Sequence, residues 1–310
     1  MTIVTGSIAY DSIMNFPGSF SDHILPDQIH NINLSFIVNS YAKRRGGTAG
    51  NLSYTMGLLG VKHKLFAYAG NDFGDYKKAF DELGIDTSNV AIDDNDATAI
   101  GIALADKNQN QIWAFYPGAA SRSSELDLKT IAKDDDFIVV GPQGVEGSLS
   151  FIKQCIAMNL RYMFDPGFIL TQVSNEDLEL GLKHADIIIG NDYEIQLMQD
   201  RISHWDTIIK GKIVITTLGE KGTHIKEGET ETTIAPATVK TVATTTGAGD
   251  AWRGGFIAGR DLGFDLITSA EMGSIAGAYA VEHIGTQEHT YTKEEFTKRY
   301  KETYNKDLNI

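Results

Sequence analysis

The chain has 310 residues, 42% of them hydrophobic and 22% charged, a globular composition that excludes a fibre or a disordered chain. Lysine and arginine number 27 against 41 aspartates and glutamates, so a formal net charge of −14 repels polyanions and argues against a nucleic-acid partner. The single cysteine, Cys155, excludes an internal disulfide and reads as an inert packed thiol; with no basic leader and no apolar run long enough to span a bilayer, a cytoplasmic protein without a membrane partner is expected.

Short apolar, β-branched runs recur between helical patterns: IVTGSIAYD at the start, then KLFAYAG, DFIVVG, RYMFDPG, DIIIGN and KIVITTLG. Each ends in Gly, Asp or Asn. Continuous apolar runs are the mark of buried parallel strands, and open α/β sheets place ligands at the carboxyl ends of such strands. Helices are predicted at 50–59, 75–83, 149–158, 175–183, 193–200, 251–262, 266–282 and 294–304, giving an α/β fold with helices on both faces of the sheet. Two stretches, 30–40 and 98–116, instead alternate polar and apolar residues as half-buried antiparallel strands do, with 107–111 as a polar hairpin loop. They predict a small β-sheet lid formed by about 13–42 and 97–118 over one domain spanning 1–310, with the site in the crevice between.

The most informative segment is Thr244-Thr245-Thr246-Gly247-Ala248-Gly249-Asp250-Ala251-Trp252, running into a helix. Gly247, Ala248 and Gly249 let successive N–H groups converge at the positive end of a helix dipole, which makes an anion hole. The spacing is neither a dinucleotide fingerprint nor a P-loop. A bound phosphate would repel the neighbouring Asp250, so that carboxylate is either a general base for an attacking hydroxyl or simply a helix cap. A second Gly-rich element, Arg44-Arg45-Gly46-Gly47-Thr48-Ala49-Gly50-Asn51, lets a polar ligand approach the main chain, and the Asn51 amide suits a diol; a tight loop feeding a packed helix is the plainer reading. Asp11, at the end of the first run, accepts two hydroxyls or serves a turn. Asn191 and Glu194 form a capping-box pair or, alternatively, outer ligands of a hydrated Mg²⁺. The eight histidines show no metal spacing and are expected on the surface or lid, the clusters at 93–96 and 134–136 in solvated loops, and the run Lys43, Arg44, Arg45 either solvated or compensating charge near phosphates.

Four elements in order, RRGGTAGN, NDYE at 191–194, TTLGEKG at 216–222 and TTGAGDA at 245–251, resemble the ribokinase-like, or PfkB, carbohydrate kinase family over essentially the whole chain. The resemblance implies a three-layer α/β/α sandwich with a mostly parallel central sheet, Mg-ATP as phosphoryl donor and a hydroxyl acceptor. It makes Asp250 the catalytic base beside the anion hole, places Asn191 and Glu194 near Mg²⁺, and puts Thr217, Gly219 and Gly222 around ATP. The segments GSIAYDSIMNFPGSF, SFIVNSYAKRRGGTAGN, AFYPGA and GTQEH are similar to bacterial adenosine kinases. That similarity implies a purine nucleoside, adenosine first, as acceptor; ribose or fructose is the alternative, and a catalytically silent nucleoside-binding protein is the reading from another class. It assigns Asp11, Gly46, Gly47 and Asn51 to the ribose, Ser7 and Ser35 to the base side, and Phe115 to stacking on the purine. Two departures stand out. Thr244 replaces the family's Asp or Asn, so a K⁺ site built on that carboxylate lacks it, and Phe168 and Ile169 replace glutamines that would bond a base edge. Exposed edges of the lid strands predict a homodimer paired through the lid.

Overall fold

A computed structural model describes residues 1–24, 33–108 and 110–310. Residues 30–32 and 109, which belong to the predicted lid strand and hairpin loop, lie outside the described residues. The main sheet is built from β1 (Thr2–Thr5), β4 (Lys64–Leu65), β9 (Phe137–Val140), β10 (Arg161–Phe164), β11 (Ile187–Asn191), β12 (Ile213–Thr217), β13 (Thr223–Glu227) and β14 (Thr230–Ile234). Its order is β14-β13-β12-β11-β10-β9-β1-β4, parallel from β12 to β4, with β13 and β14 added as an antiparallel hairpin that the run pattern did not predict.

Alternate residues of these strands enter opposite apolar layers, as the period of two requires. Val4, Val139, Met163 and Ile215 face one core, together with residues of α1 (Thr48–Leu58), α2 (Gly74–Glu82), α7 (Ala248–Asp261), α8 (Leu266–Val281) and α9 (Lys293–Tyr304). Ile3, Ile138, Val140, Tyr162, Phe164 and Val214 face the other, with α3 (Val145–Met158), α4 (Asn175–His184), α5 (Asp192–Arg201) and the single turn α6 (Trp205–Ile208). This is a three-layer α/β/α sandwich. The eight helices predicted from the pattern all form.

A four-stranded sheet, ordered β3-β2-β7-β8, holds β2 (Ala9–Asn15), β3 (Ser40–Gly46), β7 (Ala99–Ala105) and β8 (Gln111–Tyr116), and a two-stranded sheet pairs β5 (Tyr68–Gly70) with β6 (Ala91–Asp93). Three expectations change here. IVTGSIAYD is two strands in two sheets, because the chain leaves the main sheet at Gly6 (φ 140°) and the Ser7 N–H turns to the Pro142 carbonyl. Asp11 is therefore inside β2, not at the end of the first strand. KLFAYAG likewise splits between β4 and β5. The strand expected at 30–40 is instead Ser40–Gly46; residues 33–38 make no ladder, and Phe36 packs edge-on against Phe16 and Phe20.

Two glycine faces decide where α7 sits. A Cβ on Gly254 would lie 2.6 Å from Thr55 Cβ of α1, and one on Gly255 would lie 2.8 Å from the Met272 carbonyl of α8. The bare backbone thus lets α7 wedge between its neighbours, which brings its first turn against Asn51. His63 and His289 are 5% and 0% exposed, so the expectation that all histidines sit on the surface fails for these two. Asp93 and Asp136 are also buried rather than solvated, paired with Arg122 and with Lys64. Cys155 is buried, and burial pushes its thiol up to about 12, which suits an inert role.

Candidate active site

The first turn of α7 opens on Gly247 in the left-handed region (φ 80°), where a Cβ would strike Thr286. Only glycine fits both demands. Among the described residues the Gly247, Gly249 and Asp250 amides donate to no protein acceptor, whereas the Ala248 amide reaches Thr245 O at 3.3 Å. Three free N–H groups at a helix start are an arrangement that suits an anion.

Asp250 is half-buried at this turn, and its Oδ2 accepts a 2.7 Å hydrogen bond from Asn51 Nδ2. Burial raises its carboxyl to about 6, against the opposing pull of Asn51 and Arg253. Asn51 is 3% exposed, and its Oδ1 accepts from Gln287 Nε2 at 2.9 Å. Each end of its amide thus has one partner inside the protein, which leaves one N–H and one lone pair of the amide uncommitted.

Arg253, one helical turn below Asp250, carries a role the pattern did not single out. Its Nε lies 2.5 Å from Asp165 Oδ2 and its Nη2 2.9 Å from Asp165 Oδ1, with Glu194 Oε2 4.0 Å from Nη2. A Cβ on Gly249 would meet Nη1 at 2.9 Å, so the guanidinium lies directly beneath the anion pocket. Asp165 follows β10, Glu194 follows β11, and both converge at the carboxyl edge of the sheet.

On the acceptor side, Asp11 pairs with Gly101 of β7 and with Arg44 of β3. Its carboxylate lies between two glycines: a Cβ on Gly101 would be 2.7 Å from Oδ1, and one on Gly46 would overlap Oδ2. Burial raises this carboxyl to about 6 as well, and it makes no hydrogen bond among the described residues. A desolvated acceptor without a partner carries an unmet hydrogen-bonding demand. Gly101 also pairs with Phe115, whose ring is 75% exposed and stacks on Trp113 at 5.4 Å and 3°. Trp113 was not singled out in the sequence, although its position two residues before Phe115 puts both on one face. Gly47 (φ 85°) packs on the Ser7 to Ala9 backbone.

Other expected site residues take different places. The Ser7 hydroxyl accepts from the Thr48 N–H at 3.1 Å at the start of α1. Ser35 is exposed in the strand-free segment before β3. Asn191 and Glu194 form the full capping box, with Glu194 N to Asn191 Oδ1 and Asn191 N to Glu194 Oε2 both 2.8 Å, so the plainer of the two readings holds for those atoms. Glu194 Oε1 remains unpartnered among the described residues. Burial, with Asp165 beside it, raises the Glu194 carboxyl, so a cation there would relieve a real electrostatic cost. Thr217 is the register partner of Asn191 at the same sheet edge, and Gly219 (φ 59°) and Gly222 (φ 91°) shape the turn that follows. Phe168 is 55% exposed on the turn after β10, whereas Ile169 is buried. The Thr244 hydroxyl accepts from Thr246 N–H at 3.2 Å. Lys43, Arg44 and Arg45 lie in β3, where Lys43 covers the Tyr10 ring and Arg44 reaches the Ile284 carbonyl.

Helix-start amides without protein acceptors, a desolvated carboxylate beside them and a second desolvated carboxylate on the small sheet fit the chemistry of a phosphoryl-transfer enzyme of α/β type. Residues 7–293 match the pfkB family carbohydrate kinase model, and the chain belongs to that family. The nucleoside kinase of Burkholderia thailandensis in complex with inosine superposes with a TM-score of 0.89 and 31% identity over 99% of this chain and 100% of that one. The same enzyme in complex with ADP-inosine gives a TM-score of 0.86 and 34% identity over 100% and 98% of the two chains. The nucleoside kinase of Methanocaldococcus jannaschii is 28% identical over 287 residues, 89% of this chain and 94% of that protein. The protein is thus an ATP-dependent kinase of the ribokinase fold. No helix among the described residues is long and apolar enough to cross a membrane.

Proposed function

We propose that this enzyme transfers the γ-phosphoryl group of ATP to the 5′-hydroxyl of a purine nucleoside, with Asp250 as the base. One observation carries the reading: the desolvated Asp250 carboxylate stands at a helix start with three free amides and within electrostatic reach of Asp11, whose carboxylate shares the surroundings of Gly101 with Trp113 and Phe115. As the O–P bond forms, Asp250 takes the hydroxyl proton, while the Gly247, Gly249 and Asp250 N–H groups and the Arg253 charge bear the developing negative charge. Asp11 accepts the ribose hydroxyls beside Gly46 and Gly47, and the Phe115–Trp113 stack offers a flat surface to the purine. The inosine complexes of the Burkholderia relative support a purine nucleoside as acceptor. Adenosine and inosine are the first two acceptors to compare, because the apolar Phe168 leaves no amide at that position to read a base edge.

Thr217, Gly219 and Gly222 line the nucleotide side. Among the described residues no three metal-ligating side chains cluster. Mg²⁺ is a cation that keeps its waters and needs few carboxylates, and the free Glu194 Oε1 fits that requirement. When bound with the phosphates it supplies charge neutralisation on the transferring group. Closure of the four-stranded sheet over the acceptor would exclude water. The outer face of that sheet exposes Tyr41, Ile102, Ile112 and Tyr116, which supports a homodimer paired through this lid. A coupled ADP-release screen over purine nucleosides, ribose and fructose tests the function. The reading requires purine nucleosides to be phosphorylated in preference to bare furanoses; turnover of ribose or fructose alone makes it a sugar kinase, and no turnover with any acceptor makes it a silent binder.

A further inference from the structure

The buried side chains of Tyr76, Gln287 and Asn51 link the Gly46 carbonyl to Asp250 in one hydrogen-bonded chain. Tyr76 OH donates to the Gly46 carbonyl at 2.8 Å, Gln287 Nε2 donates to Tyr76 OH at 2.5 Å and to Asn51 Oδ1 at 2.9 Å, and Asn51 Nδ2 donates to Asp250 at 2.7 Å. The polarity of this chain is fixed at its far end. A backbone carbonyl only accepts, so Tyr76 must give its proton to Gly46 and present its oxygen to Gln287. Gln287 then turns both N–H groups inward, even though its Oε1 is left buried without a partner. Asn51 in turn offers oxygen to Gln287 and N–H to Asp250.

The reverse polarity has a chemical consequence. With Asn51 flipped, its oxygen would face Asp250, and two acceptors in contact demand a proton on the carboxyl. Forward polarity therefore belongs with an ionised Asp250. The surroundings hold the chain in place: the Tyr76 ring stacks on Phe73 at 5.5 Å and meets Phe80 edge-on at 4.8 Å. Gly50 clears the junction, since a Cβ there would overlap the Tyr76 hydroxyl and lie 3.2 Å from Gln287 Nε2. Thr286, next to Gln287, packs on Gly247.

We propose that Gln287, held by Tyr76, is a positioning residue that keeps the Asn51 amide N–H on Asp250, tying down one carboxylate oxygen and leaving the other for the acceptor alcohol. The inference rests on Asp250 being the base. It joins the Gly46 end of the acceptor cradle to the reacting carboxylate, so the two are set together. Besides Asn51, the groups facing Asp250 are the Arg253 guanidinium of its own helix, Asp165 after β10 and Asp11 of β2.

The test uses Gln287→Met, which keeps length and removes both donors, and Tyr76→Phe, which keeps the ring and removes the hydroxyl. Misplacing a base in this way is expected to lower kcat by about 10- to 100-fold in Gln287→Met, less in Tyr76→Phe. In both, the acid limb of the kcat profile moves to higher pH while the KM for ATP holds. Thermal melting checks that each variant folds, and if Gln287→Met does not, Tyr76→Phe decides. Unchanged kcat, or a loss with no movement of the acid limb, overturns the proposal. Asp250→Asn run alongside separates the two levels: activity there defeats the base reading itself, whereas an inactive Asp250→Asn beside a wild-type-like Gln287→Met defeats only the relay.

Discussion

Gly101→Ala is a steric probe of the acceptor cradle. Gly101 lies in β7 between Asp11 and Phe115, and its φ is outside the left-handed region, so alanine suits the backbone. The new methyl would stand 2.7 Å from Asp11 Oδ1, 3.1 Å from Trp113 Cζ3 and 3.3 Å from Phe115 Cε1. Comfortable contact needs about 3.5 Å, so the carboxylate must retreat by roughly an ångström. Hydrogen bonds to a charged group contribute about 1.5–3 kcal/mol, which at about 1.4 kcal/mol per decade predicts a rise in nucleoside KM of about 10- to 100-fold. Initial rates of ADP release are measured against nucleoside at saturating ATP and then against ATP, whose KM stays constant. Overpacking costs about 1–3 kcal/mol of stability and is read separately by denaturant unfolding. A folded variant with unchanged nucleoside KM refutes the placement of hydroxyls on Asp11.

Phe115→Ala removes a ring that is 75% exposed, so stability changes little, while kcat/KM for a purine nucleoside falls about tenfold or more and a bare furanose is unaffected. Because Asp250 and Asp11 are both raised to about 6, kcat/KM rises with pH through about 6, and Asp11→Asn shows which limb belongs to Asp250. The same shift has the opposite sign for stability. The folded state holds these protons more tightly than the unfolded chain, so the contribution is complete below the ordinary value of 3.8 and is lost as pH passes 6. Asp250→Asn should accordingly gain stability relative to wild type at neutral pH and not at about pH 3.5, inside the ordinary carboxyl range, measured by unfolding at both pH values. Arg253→Met strands the buried Asp165 carboxylate and should cost about 3–5 kcal/mol in denaturant unfolding, a loss that a surface ion pair would not show.

Several parts of this site are legible in the primary structure, and others depend on packing. GAGD announces the helix start and its free amides because a glycine with positive φ there leaves a local signature. The sheet reads through because runs such as DFIVVG and DIIIGN are apolar on both faces and end in polar residues. The small sheet lies differently on its first side because the alternating residues 33–38 form no ladder, whereas SYAKRRG, charged and unremarkable in hydropathy, pairs along the whole of β2. Arg253 looks like an ordinary helix residue; only Asp165, 88 positions away, reveals it. Gln287 and Tyr76 sit 211 positions apart and carry no motif, so their contact appears only after α1, α2 and the loop after α8 have packed. Asn51 shows the converse, a residue whose motif suggested a ligand contact and which packing also ties to Asp250 and Gln287.

The most direct measurement is single-turnover phosphoryl transfer by Asp250→Asn with a purine nucleoside, together with nucleotide binding by the same protein. Loss of a properly placed base should slow transfer by about 10²- to 10⁴-fold while ATP affinity and the fold are kept. Transfer at the wild-type rate would show that the carboxylate beside the helix amides takes no proton from the acceptor.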